Sequence, residues 1–191
     1  MVASDMRRFF VSLCLLVLCL VLGACAATTY SAALDTDPNA PYTLGSGDRL
    51  RIIVFGQESL SNSYAIDGAG HISMPLIGTV GATGETSTSL ARKIEARLRD
   101  GFIRDPHVSA EVEAFRPFFV LGEVTTPGQY PYVNGMTAET AVAIAGGFTP
   151  RAYKDTVDLT RAIDGHPLTA SVPILHMIKP GDTIVVRERY F

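Results

Sequence analysis

The stretch YTLGSGDRLRIIVFGQ, residues 42–57, decides how the rest of the chain is read. Gly45-Ser46-Gly47-Asp48 has the composition of a tight turn, since glycine accepts backbone angles that other residues resist and aspartate bonds back to the main chain. Residues 50–55 are rich in β-branched and aromatic side chains, which predicts a strand. A related pattern closes the chain. Gly181-Asp182 precedes Ile184 and Val186 much as Gly47-Asp48 precedes Leu50, Ile52 and Val54. Each is a Gly-Asp turn that launches a strand. Because the flanking patterns differ, the echo is read as convergent turn chemistry rather than duplication.

Working outward, DGAGHISMPLIGTV (67–80) predicts a turn at Asp67-Gly68 and short strands over 71–74 and 76–80. Thr86 is placed to cap a helix over 87–100, in which Leu90, Ile94 and Leu98 recur every four residues as an apolar stripe. Gly101 stops it. In HVSAEVEAF (107–115), Val108, Ala110, Val112 and Ala114 alternate with Ser109, Glu111 and Glu113, the pattern of a half-buried strand. Arg116-Pro117 reads as a boundary. Beyond it, FFVLGEV (118–124) is a strand, TTPG a turn, and QYPYV (129–133) a strand that Pro131 pushes to a sheet edge. A short alanine-rich helix over 137–145 starts at a Thr137 cap and stops at Gly146-Gly147. Residues 155–163 and 167–174 form a hairpin around Asp164-Gly165. The expected fold class is therefore α+β and strand-rich, in two small units, 42–115 and 116–191.

At the other end, Arg7 and Arg8 precede an apolar run over 9–22, followed by Gly23, Ala24 and Cys25. A basic region, an apolar region and small residues before a cleavage point mark a secretory signal. A cysteine directly after Leu-Gly-Ala resembles a bacterial lipobox, so residues 1–24 are expected to be removed and Cys25 to carry the lipid. Residues 9–27 also reach the ~18–20 apolar residues of an uncleaved membrane anchor, but the Gly-Ala-Cys-Ala-Ala ending suits cleavage better. Ala26, rather than aspartate, after the cysteine favours the outer membrane by resemblance to enterobacterial sorting rules. Residues 25–41 are rich in Ala, Thr, Ser, Asp and Pro and have no periodicity. They read as a lipidated tether of about 20–25 Å. Cys14 and Cys19 leave with the signal, so the mature fold relies on core burial rather than disulfides. A net charge of −3 over 191 residues without a basic block argues against a nucleic-acid partner.

The chain is poor in the constellations that carry chemistry. His71, His107, His166 and His176 have no metal-ligand spacing, so neither a metal nor a cofactor is predicted. There is no G-x-S-x-G nucleophile elbow and no phosphate loop; GATGET (81–86) is only a glycine-rich turn. Glu111 and Glu113 share a strand face, and glycosidases use carboxyl pairs about 5–9 Å apart. Alternating glutamates are also the ordinary wet face of a strand, and no catalytic residue is assigned. Tyr130 and Tyr132 share a face at i, i+2 and are the candidate ligand-binding pair, since aromatic faces stack on sugar rings; packing or an interface is the more ordinary role.

Taken together, YTLGSGDRLRIIVFGQ, IDGAGHISMPLIGTV, GETSTSLARKIEARLRDGFIRDPHVSAEV, VLGEVTTPGQYPYVNGMTAETAVAIAGGFTPRA and PGDTIVVRERYF resemble the bacterial outer-membrane polysaccharide export (OPX) lipoprotein family. The order resembles its short form, an export-signature domain followed by one β-grasp-like SLBB domain. One departure is Ser46, where family members commonly have proline. The resemblance implies a ring of identical subunits under the outer membrane, passing a capsular polysaccharide or exopolysaccharide from an inner-membrane copolymerase toward the exterior. A conduit of this kind needs subunit interfaces and a wet lumen rather than a nucleophile. The sequence after residue 24 shows neither a spanning helix nor a set of barrel-length strands, so the protein is expected to hand the polymer to a separate outer-membrane pore protein or to work as a periplasmic adaptor. A periplasmic ligand-binding module that regulates synthesis is the competing expectation, and an enzyme acting on the polymer comes last.

Overall fold

Every second residue of β1 (Arg49–Val54) is buried, with Leu50, Ile52 and Val54 facing a core while Arg49, Arg51 and Ile53 face outward. The computed structural model describes Leu34, residues 40–163 and residues 165–189. The expected cleavage point and Cys25 lie outside the described residues. β1 is the centre of a three-stranded antiparallel sheet between β2 (Asn62–Ala65) and β5 (Val108–Ala114), reached through a 3-10 turn at Glu58–Leu60. β3 (His71–Met74) and β4 (Gly78–Gly81) form a separate hairpin. Helix α1 (Ser87–Arg99) lays Leu90, Ile94 and Leu98 against Leu50, Ile52 and Val54 to make the first core.

Two local departures from expectation have clear causes. The strand expected over 76–80 starts at Gly78, because Leu76 has φ +69 and the Ile77 amide donates to the Pro75 carbonyl at 2.9 Å. That is the geometry of a γ-turn with positive φ, a rare form for a residue with a side chain. β2 has no strand signal in Asn-Ser-Tyr-Ala; it forms because β1 offers it a free edge, with Leu50 opposite Tyr64.

The second unit is a five-stranded mixed sheet in the order β7-β6-β10-β8-β9. Its strands are β6 (Phe118–Gly122), β7 (Gly128–Tyr130), β8 (Thr156–Ile163), β9 (His166–Pro173) and β10 (Thr183–Val186). β10 runs parallel to β6 and antiparallel to β8, so the closing Gly-Asp strand occupies the centre of the sheet. β7 lies at the edge and ends at Tyr130, where Pro131 cannot donate to the ladder. Helix α2 (Ala138–Ile144) begins at a Thr137 capping box, Thr137 and Thr140 each bonding the other's backbone, as Thr86 and Ser89 do for α1. The architecture is α+β and strand-rich. Among the described residues no helix is long and apolar enough to cross a membrane.

Each unit has its own core, and Leu34 belongs to the second. It is fully buried among residues that include Phe118, Leu159, Ile178 and Ile184. The stretch read as a tether therefore docks at Leu34 before the chain builds the first unit. The sequence pattern misses this because a single leucine in a polar segment has no period. Truncating Leu34 to alanine should destabilise the second unit by about 2–4 kcal/mol, the usual cost of deleting a buried leucine side chain. Urea denaturation should show an earlier midpoint, and an unchanged midpoint would mean that the leucine contributes nothing to the core.

Candidate functional site: the junction between the two units

The two Gly-Asp turns have the same construction. In each, the aspartate amide donates to the carbonyl three residues back, Asp48 to Gly45 and Asp182 to Lys179, both at 3.1 Å. The third residue of each turn has positive φ, +93 at Gly47 and +86 at Gly181, while Ser46 and Pro180 before them do not. That combination is a type II turn, for which proline suits the second position and glycine the third. Each aspartate then folds back onto its turn: Asp48 Oδ2 accepts from the Gly45 amide at 2.8 Å, and Asp182 Oδ2 accepts from the Lys179 amide at 2.7 Å. Both carboxylates are buried, at 0% and 1% exposure.

A buried carboxylate is costly unless charge and hydrogen bonds compensate it. Asp182 receives a two-pronged contact from Arg161, Nε to Oδ1 at 2.9 Å and Nη2 to Oδ2 at 2.7 Å. The same guanidinium donates through Nη1 to the Leu34 carbonyl at 2.9 Å, which ties the docked leucine into this network. Asp48 accepts from the Tyr42 hydroxyl at 2.7 Å, from the Arg116 amide at 2.7 Å and from Arg116 Nη1 at 3.2 Å. Arg116 also reaches the other turn, where its Nε donates to the Pro180 carbonyl at 3.1 Å. Its side chain is thus held by both turns at once. A Cβ on Gly45 would lie 2.2 Å from its guanidinium, and one on Gly181 would lie 2.9 Å from its Nε. Arg116, read from sequence as a boundary, is the clasp between the units.

Aromatic rings complete the junction. Tyr42 meets Phe115 edge-on with centroids 4.9 Å apart, and Phe115 meets Tyr132 in the same way at 5.4 Å. Burial, and then the hydrogen bond to Asp48, pushes the Tyr42 hydroxyl well above the ordinary phenol range. Beside this stack lies a cavity of about 110 Å³ whose walls include Tyr42, Arg116, Tyr132, Asn134 and Lys179.

The structure separates the two candidate tyrosines. Tyr132 is only 9% exposed, belongs to the second core, and donates its hydroxyl to the Ile178 carbonyl at 3.2 Å. Tyr130 is partly buried against Phe118, with its hydroxyl donating to the Thr126 carbonyl. The shared exposed platform expected from i, i+2 spacing does not form, because β7 stops at Tyr130 and the chain turns inward after Pro131. Tyr132 instead becomes a wall of the junction cavity. Glu111 and Glu113 stand on the outer face of the first sheet. Arg51 lies opposite Glu111, and the Ser63 hydroxyl donates to Glu113. Among the described residues, no group of three or more His, Cys, Asp or Glu side chains is placed to hold a metal ion. A shallow groove of about 430 Å³ on the first unit is lined by polar groups including Ser59, Asn62, Ser63, Asp67, His71 and Ser73.

The fold and junction define a two-unit α+β scaffold protein whose buried charges hold the turns on which the two units meet. The model for polysaccharide biosynthesis/export proteins matches residues 36–113, and the SLBB domain model matches residues 117–169. The chain belongs to the polysaccharide export family, with one domain of each kind. It is 34% identical over 139 residues to the exopolysaccharide production protein ExoF of Rhizobium meliloti, covering 66% of this chain and 32% of that protein. It is 28% identical over 185 residues to the EPS I polysaccharide export outer membrane protein EpsA of Ralstonia nicotianae, covering 78% of this chain and 48% of that protein. The polysialic acid transport protein KpsD of Escherichia coli is 24% identical over 165 residues, covering 79% and 29%. The chain thus spans between about a third and a half of the length of these relatives.

Two substitutions test the clasp. Arg116→Ala leaves Asp48 buried without its cation and should cost about 3–5 kcal/mol, the range for breaking a buried pair. Limited proteolysis should then cut between the two units; an unaltered urea midpoint and cleavage pattern would contradict the clasp. Tyr42→Phe removes one donor to a carboxylate and should cost about 1–3 kcal/mol at neutral pH. A phenol raised in the folded state contributes stability that is fully present below its unfolded value, about pH 10, and is lost as pH rises beyond it. The wild type should therefore weaken more steeply above pH 10 than the phenylalanine variant, as read from urea midpoints at successive pH values.

Proposed function

We propose that the protein is a lipid-anchored component on the periplasmic side of the outer membrane, several copies of which assemble into a conduit or adaptor for an exported capsular polysaccharide or exopolysaccharide. The observation that carries this reading is the match of both family models to consecutive units of one chain, at residues 36–113 and 117–169. The names of ExoF, EpsA and KpsD point to production, export or transport of such polymers. In this reading Cys25 carries the acyl chains, an inner-membrane copolymerase delivers the polymer, and a separate outer-membrane pore protein receives it.

Surface chemistry supports assembly. Phe119 and Leu121 alternate with buried Phe118 and Val120 on β6 and are 39% and 44% exposed on the outer sheet face. Their neighbours across the sheet are Thr183 and Val185, then Thr160 and Asp158. An apolar patch grading into hydroxyl and carboxylate groups suits subunit packing beside a wet surface. A ligand-binding regulator is the second reading, favoured by the junction cavity.

Deleting the gene should abolish extracellular polysaccharide, and the wild-type gene should restore it while Cys25→Ala leaves an unprocessed precursor. Unchanged secreted glycan in the deletion strain would overturn the export role, and normal processing of the alanine variant would overturn the lipidation. The double variant Phe119→Ser, Leu121→Ser should shift the detergent-solubilised particle to a smaller mass by light scattering without unfolding it. An unchanged mass would remove this face from the interface.

A further inference from the structure

The charges around the junction do not balance, and the imbalance points into the cavity. Asp182 is matched by Arg161 and Asp48 by Arg116. Lys179 is left over. Its ammonium forms no hydrogen bond or ion pair among the described residues, and the residue lines the cavity together with Arg116. Burial, and then the proximity of Arg161, lowers its pKa against the opposing pull of Asp182. A cation partly withdrawn from water without a close counter-ion gains most from an anion that accepts its charge-assisted hydrogen bonds.

We propose that this cavity binds the carboxylate of an acidic sugar residue, held by Lys179 and the exposed edge of the Arg116 guanidinium, with Tyr132 and Asn134 shaping the wall against the ring. Among the described residues one positive charge is left uncompensated, which a monoanion balances and a phosphate dianion over-neutralises, and this favours a carboxylate. Arg116 Nε serves the Pro180 carbonyl and Nη1 serves Asp48 and the Tyr42 hydroxyl, which leaves Nη2 of a side chain 29% exposed for a further contact. Asn134 and Thr43 offer donors and acceptors at the same walls, and the tyrosines offer apolar surface, the mixture that a sugar ring requires. A space of about 110 Å³ admits one carboxylated edge rather than an oligosaccharide, so the site reads single acidic residues. The saccharide part of this assignment rests on the export reading; the anion part does not.

Titration calorimetry on the detergent-solubilised full-length protein, with sodium glucuronate, glucose, acetate and inorganic phosphate as probes, tests the site. Glucuronate should bind saturably, at least tenfold more tightly than acetate, with no heat from glucose. Lys179→Gln should weaken glucuronate tenfold or more while the urea midpoint stays the same or rises, since a poorly solvated charge is removed. Asn134→Ala should weaken glucuronate but not acetate. Equal affinities for glucuronate and acetate would overturn the sugar component, and tighter phosphate would overturn the carboxylate. Binding that emerges only in an Asp35→Asn, Asp37→Asn double variant would assign the site to the chain's own carboxylates and overturn the proposal. Failure of all binding with export intact sinks only this site, whereas normal glucuronate binding with secretion untouched by gene deletion sinks only the export role.

Discussion

The structure depends on burying two carboxylates. Asp48 and Asp182 each close a type II turn from within, and neither survives in the interior without an arginine. The turns launch the central strand of the first sheet and the central strand of the second, so the position of each carboxylate fixes the register from which each unit grows. Arg116 converts two local solutions into one molecule. Its main-chain amide and guanidinium serve Asp48, while its Nε serves the carbonyl of Pro180 in the other turn. Gly181 combines a positive φ with this close approach, whereas Gly45, whose φ is not positive, makes room for the arginine alone; a methyl group at either would displace it.

What was legible in the sequence is what local physics decides alone. Thr86 and Thr137 announce their helices because a hydroxyl ahead of an apolar repeat satisfies orphan amides. The β8–β9 hairpin is announced by alternation on both sides of Asp164-Gly165. The Gly-Asp echo was visible too, though its shared construction down to matching hydrogen bonds was not. Illegible features are those that a distant partner decides. β2 exists because β1 needs a neighbour, Leu34 is buried because the second core has a place for it, and Tyr132 turns inward because Pro131 ends the ladder. Spacing of two residues gave Tyr130 and Tyr132 a common face only on the assumption that the strand continued. Arg116 gave no signal beyond its proline neighbour, since its two contacts lie 68 and 64 residues away in sequence.

The distribution of charge also bears on function. In this molecule the buried ions are spent on turns, whereas the exposed glutamates of β5 face a serine and an arginine on an open sheet. An enzyme concentrates perturbed groups where a substrate is enclosed. Here the perturbed tyrosines at 42 and 132 owe their shifts mainly to burial beside a structural clasp. Buried ions thus pin the units where they meet, while the outer faces mix charged and hydroxyl groups with exposed apolar side chains such as Phe119 and Leu121.

The contacts at the junction run on into the amino-terminal side of the molecule. Leu34 sits in the second core, and its carbonyl is held by Arg161, which holds Asp182; the Asp182 turn abuts Arg116, which holds Asp48 at the foot of β1. A continuous series of buried and half-buried contacts therefore joins Leu34 to the first unit by way of the second. Leu34 stands only nine residues beyond Cys25, a reach of at most about 30 Å of extended chain. Parting the two units breaks the contacts of Arg116 with Asp48 and with the Pro180 carbonyl, and leaves a carboxylate of 0% exposure without its cation.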